Sequence, residues 1–333
     1  MKGNKDILKF IRDAVLYLVT FIGVYILVII LLAAVPPFTD KIPNLKNMRG
    51  KSDFSLLRFL DLNLDADVWV FGSSHAFRGF DPRIFASKGI SIQNFGSASQ
   101  HLLNSNRLIE EYLIQNHPKL VLVELDHGLM NYNASLEPTF VLMSNKYINS
   151  SIANMAKDVN HVGVWNSLAY HFVHQKIYPL EESVQNNINN NTYIRGGFVE
   201  TNIKINSNDV SIRTGQGHLE LVDVNFSFAE RIVELCKKHD VELVFYSAPK
   251  AKCWTSGYSN INEVDSLFLG FSETQNVSFI GGVNDGAYLE IGLIDSIDFF
   301  DSNHLTQSGV EKYNTFIMNK LNKLNLLRLD IEE

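Results

Sequence analysis

The sequence predicts a three-layer α/β sandwich built on a parallel sheet and preceded by one transmembrane helix. Three observations lead there. Residues 14–35, AVLYLVTFIGVYILVIILLAAV, carry no charge, and about twenty apolar residues suffice for a helix to cross roughly 30 Å of hydrocarbon. From about residue 66 short apolar runs alternate with stretches of helical period, which is the pattern of a parallel sheet covered on both faces. The polar, chemistry-capable residues fall just after those runs, where the carboxyl edge of such a sheet binds ligands.

Taken in order, residues 1–13 form a short N-terminal segment, expected to be cytoplasmic, and 14–35 the anchor. This run exceeds the roughly 7–15-residue apolar core of a cleaved signal peptide, so it reads as a retained signal anchor. Pro36-Pro37 ends it. Lys2, Lys5, Lys9 and Arg12 precede the span, but Lys41, Lys46, Arg49 and Lys51 follow it, and the positive-inside rule alone leaves its orientation open. Residues 36–65 are expected to be a juxtamembrane linker and 66–327 the α/β domain. No second run after residue 50 is long enough to span.

Within that domain Asp67–Gly72 reads as a buried strand that delivers a loop, and Ile90–Asn94 as a second strand. Leu108, Ile109, Tyr112 and Leu113 share a helical face that ends near Asn116, before Pro118, and Leu120–Leu125 is the next strand. Ser227 to Glu230 forms a capping box that opens a helix with Phe228, Ile232, Leu235 and Cys236 inward, followed by the strand Val241–Ser247. Val310, Tyr313, Ile317 and Leu321 mark a closing helix after Gly309. Between about 131 and 225 the alternation fails. That insertion holds QNNINNN, expected to be a solvated loop, and polar β-prone sequence from Thr192 to Val224.

Composition excludes several classes. A net charge of -7, without a dense basic block outside the membrane flanks, argues against a nucleic-acid partner. Cys236 and Cys253 are too few for a disulfide framework and lack zinc-site spacing. His161, His171 and His174 have no convincing carboxylate companions, so no metal is expected there.

Two short motifs carry the chemistry. Gly72 permits a tight turn after the first strand, and Ser74 would project its hydroxyl from the strand-to-helix junction. Asp301 lies three residues before His304, close enough for its carboxylate to orient the imidazole while the other nitrogen faces a serine. Alone, each motif reads equally as a turn or cap. Arg78 and Asp81 read as structural residues after the elbow.

Together VWVFGSSHAFRGFDP, NFGSASQ, VLVELDHG and FFDSNHLTQSG resemble blocks I, II, III and V of the SGNH/GDSL hydrolase superfamily, in order and spacing. Their flavour is similar to the membrane-anchored branch that includes the teichoic-acid D-alanyl transfer protein and the alginate O-acetylation proteins. The resemblance implies an SGNH-hydrolase-like, flavodoxin-like sandwich with Ser74 as nucleophile, His304 as general base and Asp301 as its orienting group. It assigns oxyanion donation to the backbone N–H groups of Ser74 and Ser99, in a block whose earlier glycine is Gly96. It puts Gly128 where an asparagine side chain normally donates, with Asn131 or Asn94 as replacements, and makes His75, Asp126 and His127 pocket candidates.

The expected activity is that of a membrane-tethered serine esterase or O-acyltransferase on an acylated envelope glycan or polymer. The alternative is a catalytically weak binding or assembly subunit for a membrane acyltransferase or exporter. The implied partners are the lipid bilayer through residues 14–35, the acylated substrate and such an acyltransferase, with no cofactor and with the large domain outside the cytoplasm.

Overall fold

Short runs of β-branched and aromatic residues bury both faces only when helices cover both sides of the sheet they form. In the computed structural model, which describes residues 2–34, 54–131, 136–180, 187–188, 190–202 and 217–327, that is their arrangement. In chain order the strands are β1 (Val68–Phe71), β2 (Ile92–Asn94), β3 (Leu120–Glu124), β4 (Asn187–Ile188), β5 (Asn191–Ile194), β6 (Phe198–Thr201), β7 (Glu242–Tyr246) and β8 (Ser278–Ile280). Five of them make a parallel sheet in the order β2-β1-β3-β7-β8. Renumbered within the sheet this is 2-1-3-4-5, the flavodoxin-like doubly wound order, whose switch point lies between the first and third strands. The expected fold class is therefore observed.

Strand alternation divides the core. Trp69, Phe71, Val121, Val123 and Phe245 face one layer, where helices Leu102–Tyr112, Asp223–Lys238 and Ile261–Gln275 supply Leu108, Ile232 and Phe268. Val68, Val70, Leu122, Val244 and Tyr246 face the other, against Tyr288 of helix Asp285–Ile291 and Tyr313 and Ile317 of helix Gln307–Lys323. Burying a large apolar side chain contributes roughly 1.5–3 kcal/mol, so these two layers hold the sheet in place.

Several expectations need correction. The helix expected to open at Ser227 begins a turn earlier, at Asp223, whose acidic side chain suits the positive end of the helix. Ser227 is internal, and its hydroxyl donates to the Val224 carbonyl at 2.7 Å. Part of the supposed linker belongs to the domain: in helix Ser55–Leu60, Leu57 packs with Phe54, Phe77 and Val199, and Arg58 stacks on Phe77 at 4.3 Å.

The insertion holds three helices that polar interruptions had hidden, Leu136–Asn145, Ser150–Val159 and Val162–Ile177, and then the antiparallel β4-β5-β6 sheet. Its asparagine patch is not simply a loop, because Asn187 pairs with Thr192 and Asn191 with Ile188, and Asn190 turns the chain with φ 63°. Asparagine tolerates that left-handed conformation better than most residues. Gln185, Asn186 and Asn189 of the patch, the whole stretch 203–216 and linker residues 35–53 lie outside the described residues. Helix Ile261–Gln275 and β8 had no counterpart in the sequence reading.

The N-terminal helix Lys2–Ala34 is the one described helix long and apolar enough to cross a membrane. It adds no residue to the described core clusters. It packs along helix Val162–Ile177, where the Tyr25 hydroxyl donates to Asn166 Oδ1 at 2.7 Å.

The closing helix is seated through Gly309. Alanine normally exceeds glycine in a helix by about 1 kcal/mol, but a Cβ at Gly309 would meet the Asp298 carbonyl oxygen and come within 2.8 Å of Leu305 Cδ2. Gly309→Ala is therefore expected to destabilise the protein by about 1–3 kcal/mol, as overpacking does. Thermal unfolding of the detergent-solubilised chain checks this; an unchanged or raised midpoint would contradict it.

Candidate functional site

At the end of β1 the chain must turn sharply into helix Ser74–Gly79, and close packing dictates glycine at two positions. A Cβ on Gly72 would lie 2.6 Å from Glu124 Oε2 and 2.8 Å from the Tyr246 hydroxyl. One on Gly96 would lie 2.8 Å from Ala76 Cβ and 3.0 Å from the Ser73 carbonyl oxygen. The elbow is thus pressed between β3 and the loop after β2. Ser73 caps the helix by accepting from His75 N at 3.3 Å, and its own N–H donates to Glu124 Oε2 at 2.6 Å.

The second half of the site is a turn between the bridged residues Phe299 and Leu305. Asp301 Oδ1 accepts from the N–H groups of Asn303 and His304 at 2.9 and 2.8 Å, a local Asx-type closure. Its Oδ2 lies 2.8 Å from His304 Nδ1. A carboxylate only accepts, so the ring proton belongs on Nδ1 and the Nε2 lone pair is free for another partner. That partner is Ser74 Oγ, 2.8 Å away. Phe300 stacks on one side of the ring at 5.4 Å and His75 lies against it at 5.3 Å.

Burial pushes the His304 imidazole below its ordinary 6.5; Asp301 opposes this, and the neighbouring His75 and Arg78 add to the lowering. Burial would raise the Asp301 carboxyl, yet the hydrogen bonds and charge of His304 and the two backbone N–H groups pull it down to about 2. An ionised acceptor, a neutral base and a hydroxyl therefore stand in line at neutral pH.

Beneath this chain lies a buried polar cluster. His75 Nδ1 is 2.9 Å from Glu124 Oε1, 2.9 Å from Ser73 Oγ and 3.3 Å from Asp126 Oδ2. Lys250, only 2% exposed, donates to Asp126 Oδ2 at 2.6 Å and to His75 Nε2 at 3.2 Å. Lysine has donors only, so Nε2 accepts and the His75 proton sits on Nδ1, facing the carboxylates. Burial alone would raise the Asp126 carboxyl, but Lys250 above all, with His75 and the Leu129 N–H, holds it well below the usual range. His75, Glu124 and Asp126 also offer ligand atoms within 4.8 Å of one another, close enough to hold a metal ion. The Lys250 ammonium already places a cation against two of these three residues.

Comparison with known proteins adds two solved structures. The chain is similar to a candidate acylhydrolase from Bacteroides fragilis, with 13% identity and a TM-score of 0.40, over 83% of this chain and 100% of the other. It is also similar to a GDSL-like lipase from Bacteroides thetaiotaomicron, with 12% identity and a TM-score of 0.39, over 82% and 100%. No family model and no curated protein matches it.

The remaining sequence candidates divide. Ser99 adopts a left-handed φ of 53°, unusual for serine, in the loop that Gly96 presses against the elbow. Asn94 is fully buried and ties the loop after β2 to the elbow: Oδ1 accepts from Gly96 N at 2.9 Å and Nδ2 donates to the Ala76 carbonyl at 2.7 Å. Asn131 Oδ1 accepts from Glu220 N at 2.5 Å. His127 turns away from Asp126 toward helix Ile261–Gln275, meeting Asp265 at 3.1 Å and the Phe268 ring at 4.9 Å. Gly128 sits where a Cβ would lie 3.1 Å from Asp126 Oδ1 and 4.0 Å from Trp254.

Arg78 bonds Asn191 at 3.0 Å and lies 5.7 Å over the Phe300 ring, and Asp81 caps helix Pro82–Ala86 and pairs with Arg83 at 2.7 Å. His161 caps its helix, and His171 Nε2 lies 3.2 Å from Ser144 Oγ. Sequence reasoning missed Glu124 and Lys250. The signal for Glu124 was present as the sole charge in the apolar run LVLVEL; Lys250, four residues after β7, had none.

Removing one partner of a buried ion pair costs about 3–5 kcal/mol, because the other is left uncompensated. Lys250→Met is expected to fall in that range and Lys250→Met/Asp126→Asn to recover most of it. Thermal and denaturant unfolding of both variants checks this; additive losses would contradict the pairing.

Proposed function

We propose that the chain is a membrane-tethered serine esterase or O-acyltransferase acting on an acylated envelope glycan or polymer. The observation that carries this reading is the Ser74–His304–Asp301 chain, with both links at 2.8 Å. Ser74 Oγ attacks the acyl carbonyl while its proton passes to His304 Nε2, and Asp301 stabilises the imidazolium. His304 then returns the proton to the departing alcohol as the C–O bond breaks, leaving an acyl-enzyme. Water, or a sugar hydroxyl, gives its proton to His304 and bonds to the acyl carbon, and His304 then returns that proton to Ser74 Oγ as its bond to the acyl carbon breaks.

The backbone N–H groups of Ser74 and Ser99 are the proposed oxyanion donors. Ser74 opens its helix, where the first N–H groups lack intrahelical partners. The glycan substrate and the placement outside the cytoplasm rest on the motif resemblance, and the tether on the apolar helix Lys2–Ala34.

Serine is a weak nucleophile until a base takes its proton. Ser74→Ala and His304→Ala are each expected to reduce turnover by about 10³-fold or more, with the double variant little worse than either single one. Full-length protein in detergent, assayed on an acylated glycan and with a fluorophosphonate label, provides the test. Full activity in Ser74→Ala would end the assignment. An intact chain that neither labels nor turns over any acylated glycan would favour a binding or assembly subunit for a membrane acyltransferase or exporter.

The pH dependence follows from the base. His304 must be neutral to accept the serine proton, and its folded-state value is lowered from 6.5. The acid limb of kcat/KM is therefore expected below pH 6.5, activity being lost as pH falls through that ionisation. Asp301 raises the His304 value, so Asp301→Asn should move the limb to still lower pH while reducing kcat. A limb above 6.5 in the intact protein, or one that rises in the variant, would contradict the assignment.

A further inference from the structure

We infer that Lys250 is a positioning residue for the triad, fixing through His75 the ring face against which His304 is stacked; this deepens the triad reading above and rests on it. The His304 imidazole is held at two edges and two faces. Asp301 and Ser74 take the edges, at 2.8 Å each. Phe300 and His75 take the faces, with ring centroids 5.4 and 5.3 Å away. Phe300 belongs to the turn that carries His304, whereas His75 comes from the elbow helix. A planar ring bonded at an edge can still tilt about that bond, so the face contacts set its plane. A reacting group misplaced by about 1 Å can lose about 10²-fold in rate.

The His75 ring is itself pinned at both nitrogens. Nδ1 donates to Glu124 Oε1 at 2.9 Å, and Nε2 accepts from Lys250 Nζ at 3.2 Å. Turning the imidazole over would put a carbon at each of these places. A carboxylate only accepts and an ammonium only donates, so the two partners together fix both the flip of the ring and its tautomer.

Lys250 is held just as firmly. Its ammonium donates to Asp126 Oδ2 at 2.6 Å and lies 4.8 Å from the centre of the Trp254 ring. Burying a lysine gives up the rotamer freedom of a long side chain and the hydration of its charge. Neutralising Asp126 uses one of its three N–H groups, and a second is aimed at the His75 lone pair. Lys250 is buried, which keeps it off the substrate. Its effect on the reaction therefore passes through His75.

Full-length protein in detergent tests this. Lys250→Met/Asp126→Asn removes the donor to Nε2 without leaving Lys250 or Asp126 as an unpaired charge. It is expected to lower kcat about 10–100-fold with KM within about twofold, since orientation is lost and binding is not. His75→Asn keeps a side-chain amide near the Nδ1 position for Glu124, and a similar fall in kcat is expected. Combining it with the double variant should cost little more, because residues that act through one another are not additive. Full kcat in the double variant, a rise in KM at unchanged kcat, or losses that multiply on combination would contradict the inference. Where glycan turnover is absent, the rate at which a fluorophosphonate labels Ser74 gives the same comparison.

Nuclear magnetic resonance of histidine-labelled protein reads the chain of contacts without turnover. In the intact protein His75 is expected as the Nδ1-protonated tautomer, and the His304 Nδ1 proton as a sharp low-field signal. In Lys250→Met/Asp126→Asn, His75 should populate both tautomers and the His304 signal should broaden. An Nε2-protonated His75 in the intact protein, or a His304 signal unchanged in the variant, would overturn the positioning role and leave the triad standing. Full activity in Ser74→Ala would remove the triad reading and this inference with it.

Discussion

A carboxylate at the carboxyl end of an apolar central strand has to be met by hydrogen-bond donors, and in this protein the donors come from the turn that carries Ser74. Glu124 ends β3 and takes the Ser73 N–H on one oxygen and His75 Nδ1 on the other. An unmet buried charge costs several kcal/mol, so the elbow is drawn down onto β3 as the sheet forms. Gly72 follows from this constraint, since any side chain there would occupy the volume of the Glu124 carboxylate. The second carboxylate, Asp126, needs a further cation, and Lys250 reaches it from the loop after β7. The position of Ser74 thus depends on three parallel strands and the polar groups at their ends.

His304 is held by different means. Asp301 and His304 are three residues apart and fix each other through one side chain, two backbone N–H groups and a short antiparallel bridge. Their turn needs only to be brought to the elbow, and the closing helix does this through the contact of Gly309 with Asp298 and Leu305. Asp298 itself is fully buried and accepts from Ile294 N, Ser308 Oγ and Lys312 Nζ. The serine is therefore set by the sheet and the histidine by a self-contained turn. The two meet through a single 2.8 Å contact across the face of His75, where the ring lies against that of His304.

This division explains what could be read from the sequence. The parallel strands were legible because they are continuous apolar runs ended by small or polar residues, and the Asp301–His304 pair because its geometry is local. Helix Ile261–Gln275 was not, since its outward face carries Leu267 and Leu269 at around half exposure and blurs the helical period. The roles of Asn94, Asn131 and His127 were equally out of reach. A short polar residue beside a strand end is as able to satisfy backbone groups as to face a pocket, and only the packing of distant segments decides between them. Lys250 lies in a loop without periodicity, and its significance comes from Asp126, 124 residues earlier, and His75, 175 residues earlier.

The insertion sits at the same edge of the sheet as the elbow. Long connections without sheet pairing usually stay at the surface and vary without disturbing the core. This one begins within a few residues of Asp126, beyond the carboxyl end of β3, and returns to the layer at helix Asp223–Lys238. Its hairpin also grips the elbow helix, through Arg78 with Asn191 and the packing of Val199 on Phe77. Its third helix touches Lys2–Ala34. One segment therefore contacts the turn bearing Ser74 and the membrane-length helix at the same time.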